Sequence, residues 1–174
     1  ISKQYSEALP HLNFIITNGQ ETEYLPSALN KKYVCLTEDG KYNLAMNFVD
    51  SLLTSGKNGD SWTVRKAFLL AKTGQVESAL NLLKEMAMRE KANISTENSY
   101  HHYAEDYEEM AIPYIKSLIA RGAILKAFEA SNSLLEVYPN SQLGLLYAMN
   151  TSKMLGRTKD FEKNIEVALQ YYPD

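Results

Sequence analysis

The side chains with the clearest potential for chemistry lie between residues 101 and 106, where two histidines are followed by two carboxylates. If this stretch is helical, His101 and Glu105 lie four residues apart on one face, as do His102 and Asp106. Such nitrogen–oxygen pairs suit transition metals. The spacing differs from the zinc-protease pattern, and no third ligand lies nearby in the sequence. We therefore predict no metal site, and metal binding at this stretch is the alternative hypothesis.

The simpler interpretation places the acidic groups of this stretch on the solvent side of an extended helix. Three tyrosines would then pack inward: Tyr100, Tyr103 and Tyr107. The chain has 12 tyrosines, and two roles compete for them. They can fill helix interfaces while the hydroxyl reaches water, or they can line a binding surface. We favour packing.

Other catalytic groups are missing from the sequence. Cys35 stands between Val34 and Leu36, which predicts a buried packing residue and not a nucleophile. The stretch Gly56-Lys57-Asn58-Gly59 is typical of a loop between helical units, because it does not join a strand to a helix as a phosphate-binding loop does. We predict no catalytic residue and no cofactor, hence a protein that is not an enzyme.

Composition excludes several classes of partner. The chain has 174 residues, 45% of them apolar, and a formal net charge of −3. This mild acidity provides no basic surface for nucleic acid or anionic lipid. No apolar run approaches the roughly 20 residues that span a bilayer. We predict a soluble protein that binds no nucleic acid and does not insert into a membrane. The compartment stays unknown: the cytoplasm is slightly favoured, and the periplasm is the alternative.

Glycines mark an internal period of 34 residues, from Gly40 to Gly74 and again from Gly122 to Gly156. The interval from Gly74 to Gly122 is 48 residues, which is one period plus 14. Other residues keep the same offsets from these glycines: Ala45, Ala79, Ala127, Pro139 and Pro173. Glycine is rare here, with eight in the chain, so the coincidence indicates a repeat.

Each period is typical of two helices joined by a tight turn. Residues 62–72 are rich in apolar side chains and end at Thr73-Gly74, where glycine supplies the left-handed backbone that helix ends commonly need. Residues 76–86 then place apolar side chains at steps of three and four, the spacing of an amphipathic helix. Pro113 falls within an expected first helix and predicts a kink or a restart there. The whole pattern predicts an all-α protein.

Three turn segments and one terminal segment resemble tetratricopeptide (TPR) repeats: residues 40–45, 74–79 and 122–127, and residues 134–140. The resemblance covers nearly the entire chain. It implies an α-α superhelix, a right-handed solenoid of helix-turn-helix hairpins with about four repeats and an N-terminal half repeat.

We predict a single solenoid domain over residues 1–174. Its expected parts are a half repeat at 1–20, repeats at about 26–58, 60–92, 108–140 and 142–174, and an insertion at about 93–107. The chain opens on what resembles a second helix and stops where a next unit or a capping helix would begin. We therefore expect an excerpt of a longer protein that can self-associate through uncapped ends.

The TPR resemblance implies a non-catalytic scaffold that holds a peptide or a partner's helix in a concave groove lined by the first helices. The residues expected to point into this groove are Asn30, Val34, Val64, Phe68, Ile112, Lys116, Leu146, Asn150 and Lys153. Some of them could instead belong to the core of the hairpins.

Two other functions remain open. The chain could be the accessory region of a larger enzyme or regulatory protein whose chemistry lies elsewhere. It could also be an RNA-binding repeat, because residues 74–86 resemble the second helix of a pentatricopeptide unit as well. The net negative charge opposes RNA binding, which depends on neutralising phosphates.

Overall fold

The computed structural model describes residues 2–19, 21–56, 59–93 and 102–173, and within these ranges it contains helices and no strand. The helices are α1 (Ser2–Asn18), α2 (Leu25–Glu38), α3 (Tyr42–Thr54), α4 (Asp60–Lys72), α5 (Val76–Asn93), α6 (His102–Ala120), α7 (Ile124–Val137), α8 (Gln142–Met154) and α9 (Thr158–Tyr171). The all-α prediction is confirmed. None of these helices is long and apolar enough to span a bilayer.

The chain divides into two compact units, Ile1–Gln75 and Val76–Asp174. In the first unit, α2 packs against α1 and α3, and α3 packs against α4. In the second unit every helix packs against the next, and α6 also contacts α8. Within each unit, helices adjacent in sequence are thus neighbours in space, as expected of stacked hairpins. The predicted single domain and its repeat boundaries stay predictions.

Helices α4 and α6 each end at a glycine whose backbone conformation would strain a residue with a side chain. Gly74 has a φ of 86° and Gly122 a φ of 73°, both in the left-handed region. The residue after each glycine donates its backbone N–H back into the helix, from Gln75 to the Leu70 carbonyl at 2.8 Å and from Ala123 to the Leu118 carbonyl at 2.9 Å. These bonds satisfy carbonyls that the helix end would otherwise leave unpaired. The predicted role of glycine in the turns is confirmed.

Small and apolar residues fill the spaces between helices. Ala45, Ala79 and Ala127 are fully buried, as expected of residues that let two helices approach closely. The core of the first unit centres on α2, α3 and α4, and its larger members are Leu29, Leu36, Phe48, Val49, Leu52, Trp62 and Leu69. Cys35 is buried as predicted, in a smaller cluster with Leu12 and Ala28.

Helix α6 begins within the predicted insertion and continues through Pro113. The helix does not restart at this proline, so the restart that we considered is wrong. Pro113 is exposed, so its ring and the unpaired carbonyl one turn earlier can face water.

The first turn of α6 is bonded to α5. The Glu90 carboxylate of α5 accepts a hydrogen bond from the backbone N–H of Tyr103 at 3.1 Å. This bond satisfies one of the free donors in the first turn of α6. Residues 94–101 lie outside the described residues.

Ser141 caps α8 from a buried position. Its hydroxyl accepts a hydrogen bond from the backbone N–H of Gly144 at 2.7 Å and donates to the Glu108 carboxylate on α6. We expect Ser141→Ala to lower the free energy of unfolding by about 1–2 kcal/mol, because it removes the cap and leaves the carboxylate with one partner fewer. Urea unfolding followed by circular dichroism measures this change. The matched control Ser117→Ala, at an exposed position of α6, is expected to change stability by less than about 0.5 kcal/mol. Equal effects of the two variants would contradict the capping role.

Candidate functional site

The first helices of the first unit, α2 and α4, are joined by a hydrogen bond between exposed side chains. Arg65 on α4 donates from Nη1 to the Oδ1 of Asn30 on α2 at 2.6 Å. Asn30 was predicted to face a groove, whereas Arg65 was not. The bond shows that the two helices present one shared face, because the side chains of Asn30 and Arg65 meet across it.

Aromatic rings hold the Arg65 guanidinium in place. Its central carbon lies 4.4 Å from the centroid of the Trp62 ring and 4.9 Å from that of Tyr33. The Tyr33 and Trp62 rings meet edge to face, with centroids 6.1 Å apart. Burial raises the pKa of the Tyr33 phenol, and the Arg65 cation partly opposes that rise. Both rings therefore support a cation that reaches the surface of the α2–α4 face.

A cavity of about 350 Å³ lies beside this cation–aromatic cluster. Its walls come from the end of α2, the start of α3 and the second half of α4, and are formed by Tyr33, Thr37, Glu38, Tyr42, Phe68, Leu69 and Lys72. Phe68 is the predicted groove residue that lines the cavity. Val34, one turn before the cavity-lining Glu38, is 48% exposed, and Val64 is half-buried.

In the second unit, four of the predicted groove residues are exposed: Lys116, Leu146, Asn150 and Lys153. The last three follow one another on α8 at steps of four and three, which places them on one stripe of the helix. Two further exposed apolar residues, Leu143 and Met154, continue this stripe at both ends. Helix α8 contains no acidic residue, so the stripe combines apolar side chains with positive charge.

Ile112 does not belong to an exposed surface, because it is only 6% exposed. Helix α6 packs against α5, α7 and α8, and its buried residues recur at steps of three and four: Ala104, Tyr107, Ala111, Ile115 and Leu118. Ile112 lies with Ala111 and Ile115, which are also buried. We therefore correct its assignment from groove to core.

The residues that sequence reasoning missed on the α2–α4 face are Arg65, Tyr33 and Lys72. A signal for Arg65 existed, since it stands three residues after Trp62 and three before Phe68, on the same side of α4. The contact with Asn30 had no such signal, because the two residues are 35 positions apart and meet only through helix packing.

The histidine stretch is described only in part. His101 and Tyr100 lie outside the described residues. Tyr107 is buried and Tyr103 half-buried, in agreement with inward packing, while Glu105 is exposed. Among the residues that the structure describes, no group of three histidine, cysteine or acidic side chains is placed to hold a metal ion.

No protein-family model matches the sequence, and no curated protein matches it. Solved structures do match. The MamA RS-1 ArsTM double mutant, a form of a TPR-repeat protein, superposes with a TM-score of 0.53 at 17% identity, over 96% of this chain and 84% of that chain. The chain has a TPR-like fold.

Two other solved structures match this TPR-like chain less closely. MamA 41-end from Desulfovibrio magneticus RS-1 has a TM-score of 0.49 at 20% identity, over 96% of this chain and 83% of that chain. The C-terminal part of a TPR repeat-containing protein from Cytophaga hutchinsonii has a TM-score of 0.34 at 17% identity, over 97% and 74% of the two chains. At these identities the likeness concerns the fold alone.

Proposed function

We propose that this TPR-like protein binds an extended peptide segment or a helix of a protein partner on the face formed by α2 and α4. The cavity beside Phe68 is the observation that carries the proposal. Its volume of about 350 Å³ accommodates one apolar side chain of a partner. A side chain that enters such a pocket anchors an interface, because much of its surface leaves water.

The surroundings of the cavity support a peptide ligand. Val34 offers exposed apolar surface on α2, and Tyr33 and Phe68 add aromatic walls. Asn30, Arg65 and Lys72 offer polar groups at the same face. Apolar contact for affinity with a few polar groups for orientation is the usual composition of a recognition surface.

The exposed stripe on α8 is a second surface of the same kind. Leu143, Leu146 and Met154 give it apolar area, and Asn150 and Lys153 give it polar contacts. Lys116 adds an exposed cation on α6, which packs against α8. We assign this surface to partner contact as well, with Ile112 excluded.

A library of displayed linear peptides, selected on the wild-type protein, tests the proposal. We expect Val34→Glu to weaken the selected peptides at least about tenfold, because a carboxylate then opposes apolar contact at the face. Leu44→Glu is the matched control, since Leu44 is 54% exposed on α3, away from the face. For the second surface, Leu146→Glu on α8 is compared with Leu125→Glu on α7, where the two leucines are 45% and 49% exposed.

All four substitutions replace exposed side chains, so they are expected to leave the fold intact. A loss of binding then reports on the substituted surface and not on unfolding. Loss of binding in Val34→Glu with full binding in Leu44→Glu supports the proposed face. Equal binding by these two variants, or the absence of any selected peptide, would refute it.

A further inference from the structure

Helix α9 is held on α8 mainly by half-buried side chains. Of its 14 residues, all of which the structure describes, Asn164 is the one that is buried. Helices α3 and α7, which occupy the same place in the 34-residue repeat, bury four and five residues each. Helix α9 also carries the half-buried Phe161 at the repeat position of the fully buried Ala127. It therefore lacks the small residue that lets two helices approach closely.

The one buried side chain of α9 is polar and unpaired. The Asn164 amide is 6% exposed and has no hydrogen-bond partner within the described ranges. Two fully buried hydroxyls on α8 are bonded to carbonyls of their own helix, Thr151 to Tyr147 at 2.7 Å and Ser152 to Ala148 at 2.6 Å. A buried amide without a partner has lost its bonds to water and gained none, so Asn164 weakens the packing of α9 on α8.

Contacts at the two ends of α9 hold the helix in place. In the turn before it, Gly156 has a φ of 66°, and the central carbon of the Arg157 guanidinium lies 4.6 Å from the centroid of the Phe128 ring on α7. Directly after the helix, the Tyr172 hydroxyl donates a hydrogen bond to the backbone carbonyl of Asn140, between α7 and α8. Tyr172 is 40% exposed, so water competes for this bond.

We propose that α9 is a detachable helix, which opens from α8 about the Gly156 turn while α5–α8 stay folded, and which the Tyr172 hydrogen bond keeps closed. Local opening needs less free energy than unfolding of a whole unit, and it occurs in segments with few buried apolar contacts. The open state uncovers the side of α8 that α9 occupies, so this side is available to a partner only after the release of Tyr172. The proposal does not depend on peptide binding at the α2–α4 face.

Hydrogen exchange of individual backbone amides, followed by NMR on the whole chain, tests the proposal. Ile165 and Ser131 stand at the same position of α9 and α7, which have 14 residues each, so fraying from the helix ends is matched. We expect amides around Ile165 to exchange at least about tenfold faster than those around Ser131, and with a weaker dependence on urea, because opening exposes less surface than unfolding. Equal rates and equal urea dependence in the two helices would overturn the proposal.

Two neighbouring tyrosines provide matched variants at the end of α9. Tyr172→Phe removes the hydroxyl that bonds to Asn140 and is expected to accelerate exchange in α9 about fivefold, with exchange in α7 unchanged. Tyr171→Phe is the control, because Tyr171 is 46% exposed and its hydroxyl has no partner among the residues that the structure describes. Equal exchange in the two variants would contradict the part that Tyr172 has in keeping α9 closed, and the proposal with it.

A second pair of variants tests the buried amide. Asn164→Leu replaces it with an apolar side chain of the same branched shape and is expected to slow exchange in α9 about fivefold. Asn164→Gln keeps an amide, and glutamine favours a helix about as much as leucine does, so helix propensity is matched. Exchange in α9 that is slower in Asn164→Leu than in Asn164→Gln supports the proposal. Equal exchange in these two variants would contradict the weakening effect of the amide on which the proposal depends.

Discussion

Trp62→Ala is expected to lower the free energy of unfolding by about 3–5 kcal/mol, because it empties the centre of the first unit. Trp62 is buried in the core of α2, α3 and α4, and it is the one tryptophan of the chain. Its ring meets Phe48 edge to face at a centroid distance of 6.0 Å and meets Tyr33 in the same manner. Removing it leaves a cavity that these neighbours fill only in part.

Urea unfolding followed by circular dichroism measures the effect of Trp62→Ala, since tryptophan fluorescence is lost in the variant. Leu44→Ala on α3 removes an exposed apolar side chain and is expected to cost less than about 0.5 kcal/mol. Trp62→Ala also removes the ring beneath Arg65, so peptide binding at the α2–α4 face is expected to weaken too. A loss of stability below about 1 kcal/mol would contradict the central place of this ring in the core.

Leu134→Ala is expected to lower the free energy of unfolding by about 2–5 kcal/mol in the second unit. Leu134 is fully buried on α7, which packs against α6 and α8. Close packing on both sides leaves little room for the neighbours to collapse into the space that the side chain vacates.

The matched control is Leu125→Ala on the same helix. Leu125 is 49% exposed, so both variants remove the same atoms and change helix propensity equally, and only burial differs. We expect the control to lose less than about 1 kcal/mol under the same urea titration. Similar losses in the two variants would mean that α7 does not bury the face containing Leu134.

The repeat architecture was predictable because its signals are local. Gly74 and Gly122 take a left-handed backbone that favours glycine, and Ala79 and Ala127 are fully buried, where packing favours a small side chain. Such positions are restricted to one or two residue types, so the 34-residue period is visible in the sequence itself.

The surface was predictable only in part, because the spacing of apolar residues does not show how far round a helix its neighbours cover it. Asn30 and Val34 are exposed as expected, whereas Ile112 lies beside the buried stripe of α6 and is covered with it. The role of Arg65 depends on ring geometry and on a partner 35 residues away, and neither is encoded by spacing along α4. The start of α6 at His102 depends on a cap from Glu90 on α5, which is a contact between helices.

The most direct test of a partner-binding face on α2 and α4 is a backbone-amide NMR titration of the wild-type protein with a peptide selected from the display library. We predict that the shifted amides in the first unit cluster on α2 and α4, around Val34, Arg65 and Phe68, and that those around the exposed Leu44 of α3 stay unchanged. Shifts centred on the exposed side of α3, with α2 and α4 unaffected, would contradict the account.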